Sequence, residues 1–373
     1  MKKFNVNCIL FIFAAVFILA GVRGTFGASS EELRYHDALM DIDSIRNNLL
    51  GTRVVFKDDS TILKARSGSL LIASTKAEEA AIGQTAARIG ELKAAAEDHG
   101  ADFLYCLIPT KGLFETGPEN IHNYCRENYT AFLRGLEDAR IPVLNFYKVL
   151  TDRKATGSDI YFYTDHHWIP EYGLLAASAI CEELSRRYGF SYENEYTDLQ
   201  NYEVRTYPNW FLGSYGKKVG TYFTWHGADD IDLITPRFET NLTVEEPFVN
   251  TKREGSFEET VLFLPRLQKN YYHQNPYTVY SGGDHRLQII RNNLNPKGKK
   301  MLIIRDSFAC SVTPFLSLQA GELHLCDMRD FLKGEKMNLA SYIEQLKPDY
   351  VMILFAGSNT IDSDGRYDFF SGS

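Results

Sequence analysis

The sequence predicts an α/β fold of three layers, α/β/α, with a mostly parallel sheet assembled from both ends of the chain and a β-rich insertion between them. Three observations predict it. Continuous apolar runs at 103–108, 301–304 and 350–355 read as buried strands, because a parallel strand covered by helices on both faces has no polar side. Helical patterns alternate with these runs, the order expected of a parallel sheet. Between about Tyr188 and Lys300, Tyr, Phe, Trp and Thr gather in short alternating runs among scattered Gly and Pro, which marks the insertion.

In chain order, 31–50 reads as a short amphipathic helix, and 54–60 and 70–73 as short strands around a turn. Residues 75–99 are Ala-rich at helical spacing and stop at Gly100, where a C-terminal cap is expected. Pro109 ends the strand 103–108. A helix near 127–139 leads to a strand at 143–146, and another runs from Pro170, near its first turn, to Tyr188. Within the insertion, 221–226 alternates as a strand would. The α/β order then resumes, with a strand at 300–304, a turn at 305–308 into a helix, a strand at 322–326, a helix near 339–346 and the strand 350–355. The expected divisions are 1–27 as signal peptide or N-terminal membrane anchor, 28–187 and 300–373 as the two parts of the α/β domain, and 188–299 as the insertion.

The chain has 373 residues, 44% of them hydrophobic and 24% charged, which excludes a disordered or collagen-like protein. Forty basic against 48 acidic residues leave a net charge of −8. Phosphate recognition needs concentrated basic surface, so a nucleic-acid partner is not expected. Lys2 and Lys3 precede a charge-free apolar run at 8–22 that ends before Arg23, an export signal. It is short for a spanning helix, which needs about 20 apolar residues. Cleavage and retention as an anchor both stay open, and either leaves the rest of the chain on the outer side of the cytoplasmic membrane. Beyond Cys8, the five cysteines are widely spaced, so neither a zinc site nor a disulfide framework is expected. Cys106 and Cys326 read as small buried hydrophobes.

Three constellations could carry chemistry. The strand 301–304 runs into Asp306-Ser307 and a helix, placing Ser307 where open α/β sheets bind ligands; Asp306 or Ser307 could equally be a helix cap. Thr164-Asp165-His166-His167-Trp168 supplies what a serine nucleophile needs, a base in His167 and an acceptor in Asp165 that fixes its tautomer. The adjacent histidines could instead ligate a metal, but no further His, Cys or carboxylate cluster completes a set, so no metal is expected. After the last strand, Gly357-Ser358-Asn359 could aim an amide at an oxyanion, or form an ordinary turn. Lys111 lies at the same sheet edge, as a substrate contact or as a solvent-exposed lysine. His166 is expected to line the pocket or pack structurally.

Asp306-Ser307-Phe308, Gly357-Ser358-Asn359 and Asp165-x-His167-Trp168 resemble the blocks of the SGNH hydrolase superfamily: its nucleophile, its oxyanion Asn and its Asp/His pair. The resemblance spans roughly 100–185 and 298–360, with weaker echoes at Gly213-Ser214-Tyr215 and Gly282-Gly283-Asp284-His285. The usual Asp-x-x-His would place Asp at Thr164, so only the Asp-x-His form carries over. Asp165 and His167 stand ahead of Ser307, His167 by 140 residues, the reverse of the ordinary order. This circularly permuted order resembles periplasmic alginate O-acetyltransferases and bacterial DHHW proteins.

The resemblance implies a flavodoxin-like sheet, with Ser307 as nucleophile, His167 as base, Asp165 orienting it, Asn359 and the Ser307 N–H holding the oxyanion, and Lys111, His166 and Trp168 near the substrate. It further implies acyl transfer, expected to be acetyl, to a cell-surface or exported polysaccharide, with a membrane-bound O-acyltransferase as donor. A carbohydrate acetylesterase, or a non-catalytic glycan-binding protein of the same fold, are the alternatives. No cofactor is expected, since no Gly-rich phosphate loop or basic cluster would hold a nucleotide.

Overall fold

The computed structural model of the protein describes residues 30–57, 60–331 and 338–371; the apolar run at 8–22 lies outside them. Among the described residues, no helix is long and apolar enough to cross a membrane.

Strands β1 (Val54–Lys57), β2 (Ser60–Lys64) and β3 (Leu70–Ile72) form a small antiparallel sheet of their own. The central sheet takes β4 (Asp102–Ile108) and β5 (Val143–Asn145) from the first part of the chain. Strands β6 (Tyr202–Phe211) and β7 (Asp229–Pro236) pair as a separate ribbon. The remaining strands are β8 (Leu242–Glu246), β9 (Thr251–Gly255), β10 (Leu287–Asn292), β11 (Lys300–Arg305), β12 (Glu322–Cys326) and β13 (Tyr350–Ala356). The central sheet runs β5-β4-β13-β11-β12-β10-β8-β9. From β5 to β12 all neighbours are parallel, and β10, β8 and β9 add an antiparallel edge. The β-rich middle of the chain thus widens the main sheet as well as forming the ribbon.

The apolar runs are buried on both faces, as parallel strands require. Leu104, Cys106 and Ile108 pack on one side with Leu174, Ile180 and Leu184 of the helix Pro170–Tyr188. Phe103, Tyr105 and Leu107 pack on the other with Ile89 and Leu92 of Glu79–Asp98 and Phe132 of Cys125–Asp138. This is the three-layer arrangement that the sequence predicts. The helix Glu79–Asp98 stops as expected, with Gly100 at φ +81°, a conformation other residues adopt at a cost. All five described cysteines are buried and free.

Three local expectations fail for identifiable reasons. Residues 221–226 form a turn instead of a strand: the N–H groups of Thr221 and Tyr222 donate to Asp41 Oδ1 and Ser44 Oγ, while Phe223 anchors against Ile62 and Leu70. Phe146 opens a helix, Phe146–Asp152, because Asn145 caps it by accepting the Lys148 N–H. After β11 the chain makes a 3₁₀ segment, Ser307–Ser311, and one turn at Thr313–Leu316 in place of a longer helix; Pro314 brings no N–H to extend the first segment.

Candidate active site

Tyr161 and Trp168 pair across an antiparallel bridge, so 162–167 is a tight excursion of the chain. Its polar backbone groups are taken up by buried partners, as buried amides require. On one side the Asp229 carboxylate accepts the N–H groups of Tyr163 (2.5 Å) and Thr164 (2.9 Å) and the Thr164 hydroxyl. On the other, Lys111 Nζ donates to main-chain carbonyls, among them Asp165 O at 2.6 Å. Gly213 lies so close that a Cβ there would come within 2.3 Å of Asp165 Cβ, which lets the Ser214 N–H reach Asp165 Oδ2 at 2.5 Å.

Held in this way, Asp165 Oδ1 lies 2.6 Å from His167 Nδ1 and also accepts the His167 backbone N–H at 2.9 Å. His167 Nε2 lies 2.7 Å from Ser307 Oγ. Burial by itself would raise the Asp165 pKa, but the neighbouring His166 and His167 and the Ser214 N–H hold it well below the usual carboxylate range. The carboxylate therefore stays ionised beside the imidazole. Tyr277 stacks on the His167 ring, 4.1 Å between centroids and 17° between planes, and its hydroxyl is 3.1 Å from Ser307 O. The Phe308 ring packs on His167 at 5.0 Å.

Ser307 is set by its predecessor. Asp306 Oδ1 accepts the Phe308 N–H, and Oδ2 accepts the Ala356 N–H and the Asn359 side-chain amide at 2.9 Å. The capping reading of Asp306 therefore holds, and it leaves Ser307 free to face His167. Asn359 spends one amide hydrogen on Asp306; a primary amide has two.

Two predicted substrate contacts, Lys111 and Trp168, sit differently from expectation, and His166 does not. Lys111 is 3% exposed and enclosed by carbonyl oxygens, so it is neither a surface lysine nor open to a ligand. Trp168 is fully buried against Phe146 and Phe308, with its indole N–H on Ser311 Oγ, and offers substrate no face. Its ring is large and apolar, so the core claims it. His166 keeps a 37% exposed side chain, stacked on His167 and 3.0 Å from Ser214 Oγ. Burial, with the neighbouring His167 imidazole, lowers its pKa to about 4, so it lines the site as a neutral ring. Tyr277 and Asp229 escaped sequence reasoning because no motif surrounds them; Ser214 belongs to one of the weak echoes.

Asp165, His166 and His167 offer three ligand atoms within 4.8 Å of one another. The same atoms already bind each other, Ser214 and Ser307, and a cation there would break that chain.

Residues 69–209 match the family model of the SGNH hydrolase-like domain of the acetyltransferase AlgX. The fold is close to that of Bacillus cereus PatB1 solved with a sulfonyl adduct, at TM-score 0.67 and 20% identity over 86% of this chain and 99% of that one. A DHHW family protein from Eubacterium siraeum matches at TM-score 0.64 and 18% identity, covering 86% and 98%. Over residues 69–209 the chain is similar to an SGNH hydrolase-like domain, and its fold is shared with these two structures. No curated protein matches the sequence. The matched span holds Lys111, Asp165 and His167 but neither Ser307 nor Asn359, so the placement of the serine rests on the geometry above.

Proposed function

We propose that the protein is an extracytoplasmic SGNH-type O-acetyltransferase that acylates a cell-surface or exported polysaccharide through Ser307. The hydrogen-bonded line from Asp165 through His167 to Ser307 carries the proposal. As Ser307 Oγ attacks the acyl carbonyl carbon, His167 Nε2 takes its proton, with Nδ1–H held on Asp165. The Ser307 N–H and the second Asn359 amide hydrogen would stabilise the oxyanion. Collapse expels the leaving group with the proton from His167. A sugar hydroxyl then attacks the acyl-enzyme, His167 removes its proton, and Ser307 is regenerated. With water as acceptor the same steps describe an esterase.

Two features support an acceptor of carbohydrate size and an external setting. A cleft of ≈ 570 Å³ lies among residues 72–78, Thr110, Asn128 and the turn at 357–361; Ser307 and His167 do not line it, and it adjoins the site only through the turn whose Asn359 binds Asp306. Ser74, Thr75 and Ser358 are among the residues that line it, and hydroxyl side chains can pair with sugar hydroxyls. The charge-free run at 8–22 behind Lys2 and Lys3 would export the chain, and a membrane-bound O-acyltransferase would then supply the acyl group. The full chain, incubated with a small acetyl ester and a panel of glycans, should release acetate and acetylate a sugar. Acetate release alone would assign an esterase, and inertness toward both would reject serine acyl transfer.

A further inference from the structure

Lys111 Nζ has three N–H donors and four carbonyl oxygens around it: Phe162 O at 2.5 Å, Asp165 O at 2.6 Å, Leu70 O at 2.8 Å and Tyr163 O at 3.3 Å. Three of the four belong to the loop that presents Asp165, and the fourth to β3 of the small sheet. Opposite, Asp229 takes two N–H groups of the same loop. The loop is thus gripped between a buried cation on its carbonyls and a buried anion on its amides. Only the ammonium suits this cage, because a neutral amine has two N–H groups and a lone pair that faces oxygen. Burial disfavours that charge and lowers Lys111 to about 8, while Asp229, Asp165 and Glu115 act to retain it. A buried cation kept at such a cost, with no reacting atom in its reach, needs a purpose in what it holds.

We propose that Lys111, as an ammonium, is a positioning residue that fixes the Asp165 loop so that its carboxylate meets His167. The proposal rests on the serine-nucleophile reading of the site. In the full chain, Lys111→Met should keep the unfolding transition while kcat on a small acetyl ester falls about a hundredfold, the loss typical of a misplacement near 1 Å. KM should change by no more than about twofold, and sulfonyl fluoride labelling of Ser307 should slow in proportion to kcat. Ammonium or methylamine should restore part of kcat to Lys111→Ala in a saturable manner; tetramethylammonium at equal ionic strength should not. A folded Lys111→Met with wild-type kcat overturns the proposal alone. If Lys111→Met does not fold, restoration of folding and kcat to Lys111→Ala by methylamine supports it, and no restoration overturns it. A wild-type protein inert to both ester and sulfonyl fluoride overturns the reading of the site and the proposal with it.

Discussion

His167 Nε2 and Ser307 Oγ meet at 2.7 Å across 140 residues of sequence. The meeting depends on β4 and β11 flanking β13 in one parallel sheet, which gathers chain segments from both ends at a common edge.

If these residues work as one unit, Ser307→Ala and His167→Ala should each lower turnover of an acetyl ester by at least about a thousandfold. The double variant should lose no more than either single one. Asp165→Asn should leave more activity than either. Steady-state kinetics on folded variants checks this, and ester turnover retained by Ser307→Ala would remove the nucleophile.

Asn359→Ala tests the oxyanion. A donor to the developing charge should be worth about a hundredfold in the chemical step, measured as the rate of acyl-enzyme formation. A loss confined to thermal stability would show that Asn359 serves only to bind Asp306.

Rising pH should separate activity from stability. Lys111 loses its proton as pH passes about 8, and kcat should fall there by about tenfold per unit. The stability linkage has the opposite sign: the folded-state pKa lies below the ordinary 10.5, so the unfolded chain binds more protons between about 8 and 10.5. This group's contribution to stability therefore rises with pH in that window. Ester assays beside denaturant titrations across that window would show it, and a joint fall of activity and stability would point to alkaline unfolding instead.

Tyr277→Phe keeps the ring on His167 and removes the hydroxyl that faces Ser307 O. The expected cost is about 1 kcal/mol of stability, with kcat reduced less than tenfold. Tyr277→Ala should cost about 3–5 kcal/mol, as for other large buried rings, and impair kcat further by freeing His167. Chemical denaturation and ester kinetics on both variants measure this.

Ser358→Trp places bulk in the cleft beside the Asn359 turn. The KM for a glycan acceptor should rise at least about tenfold, well beyond any change with a small ester. Equal effects on both substrates would argue that acceptors bind elsewhere.

Sequence alone determined the α/β class, the strands 103–108, 301–304 and 350–355, and the helix Pro170–Tyr188, because burial on both faces leaves an uninterrupted apolar run and helices leave a period and caps. It also named Asp165, His167, Ser307 and Asn359, since the residue types demanded by nucleophilic catalysis sit in short local blocks. Only the tertiary structure decided their surroundings. Trp168 turned inward, Lys111 became the buried partner of four carbonyls, and Tyr277 and Asp229, without any motif of their own, came to support His167 and its loop. Sequence periodicity records how a residue relates to its own element, whereas burial and hydrogen-bond partners depend on which distant segment the sheet order places against it.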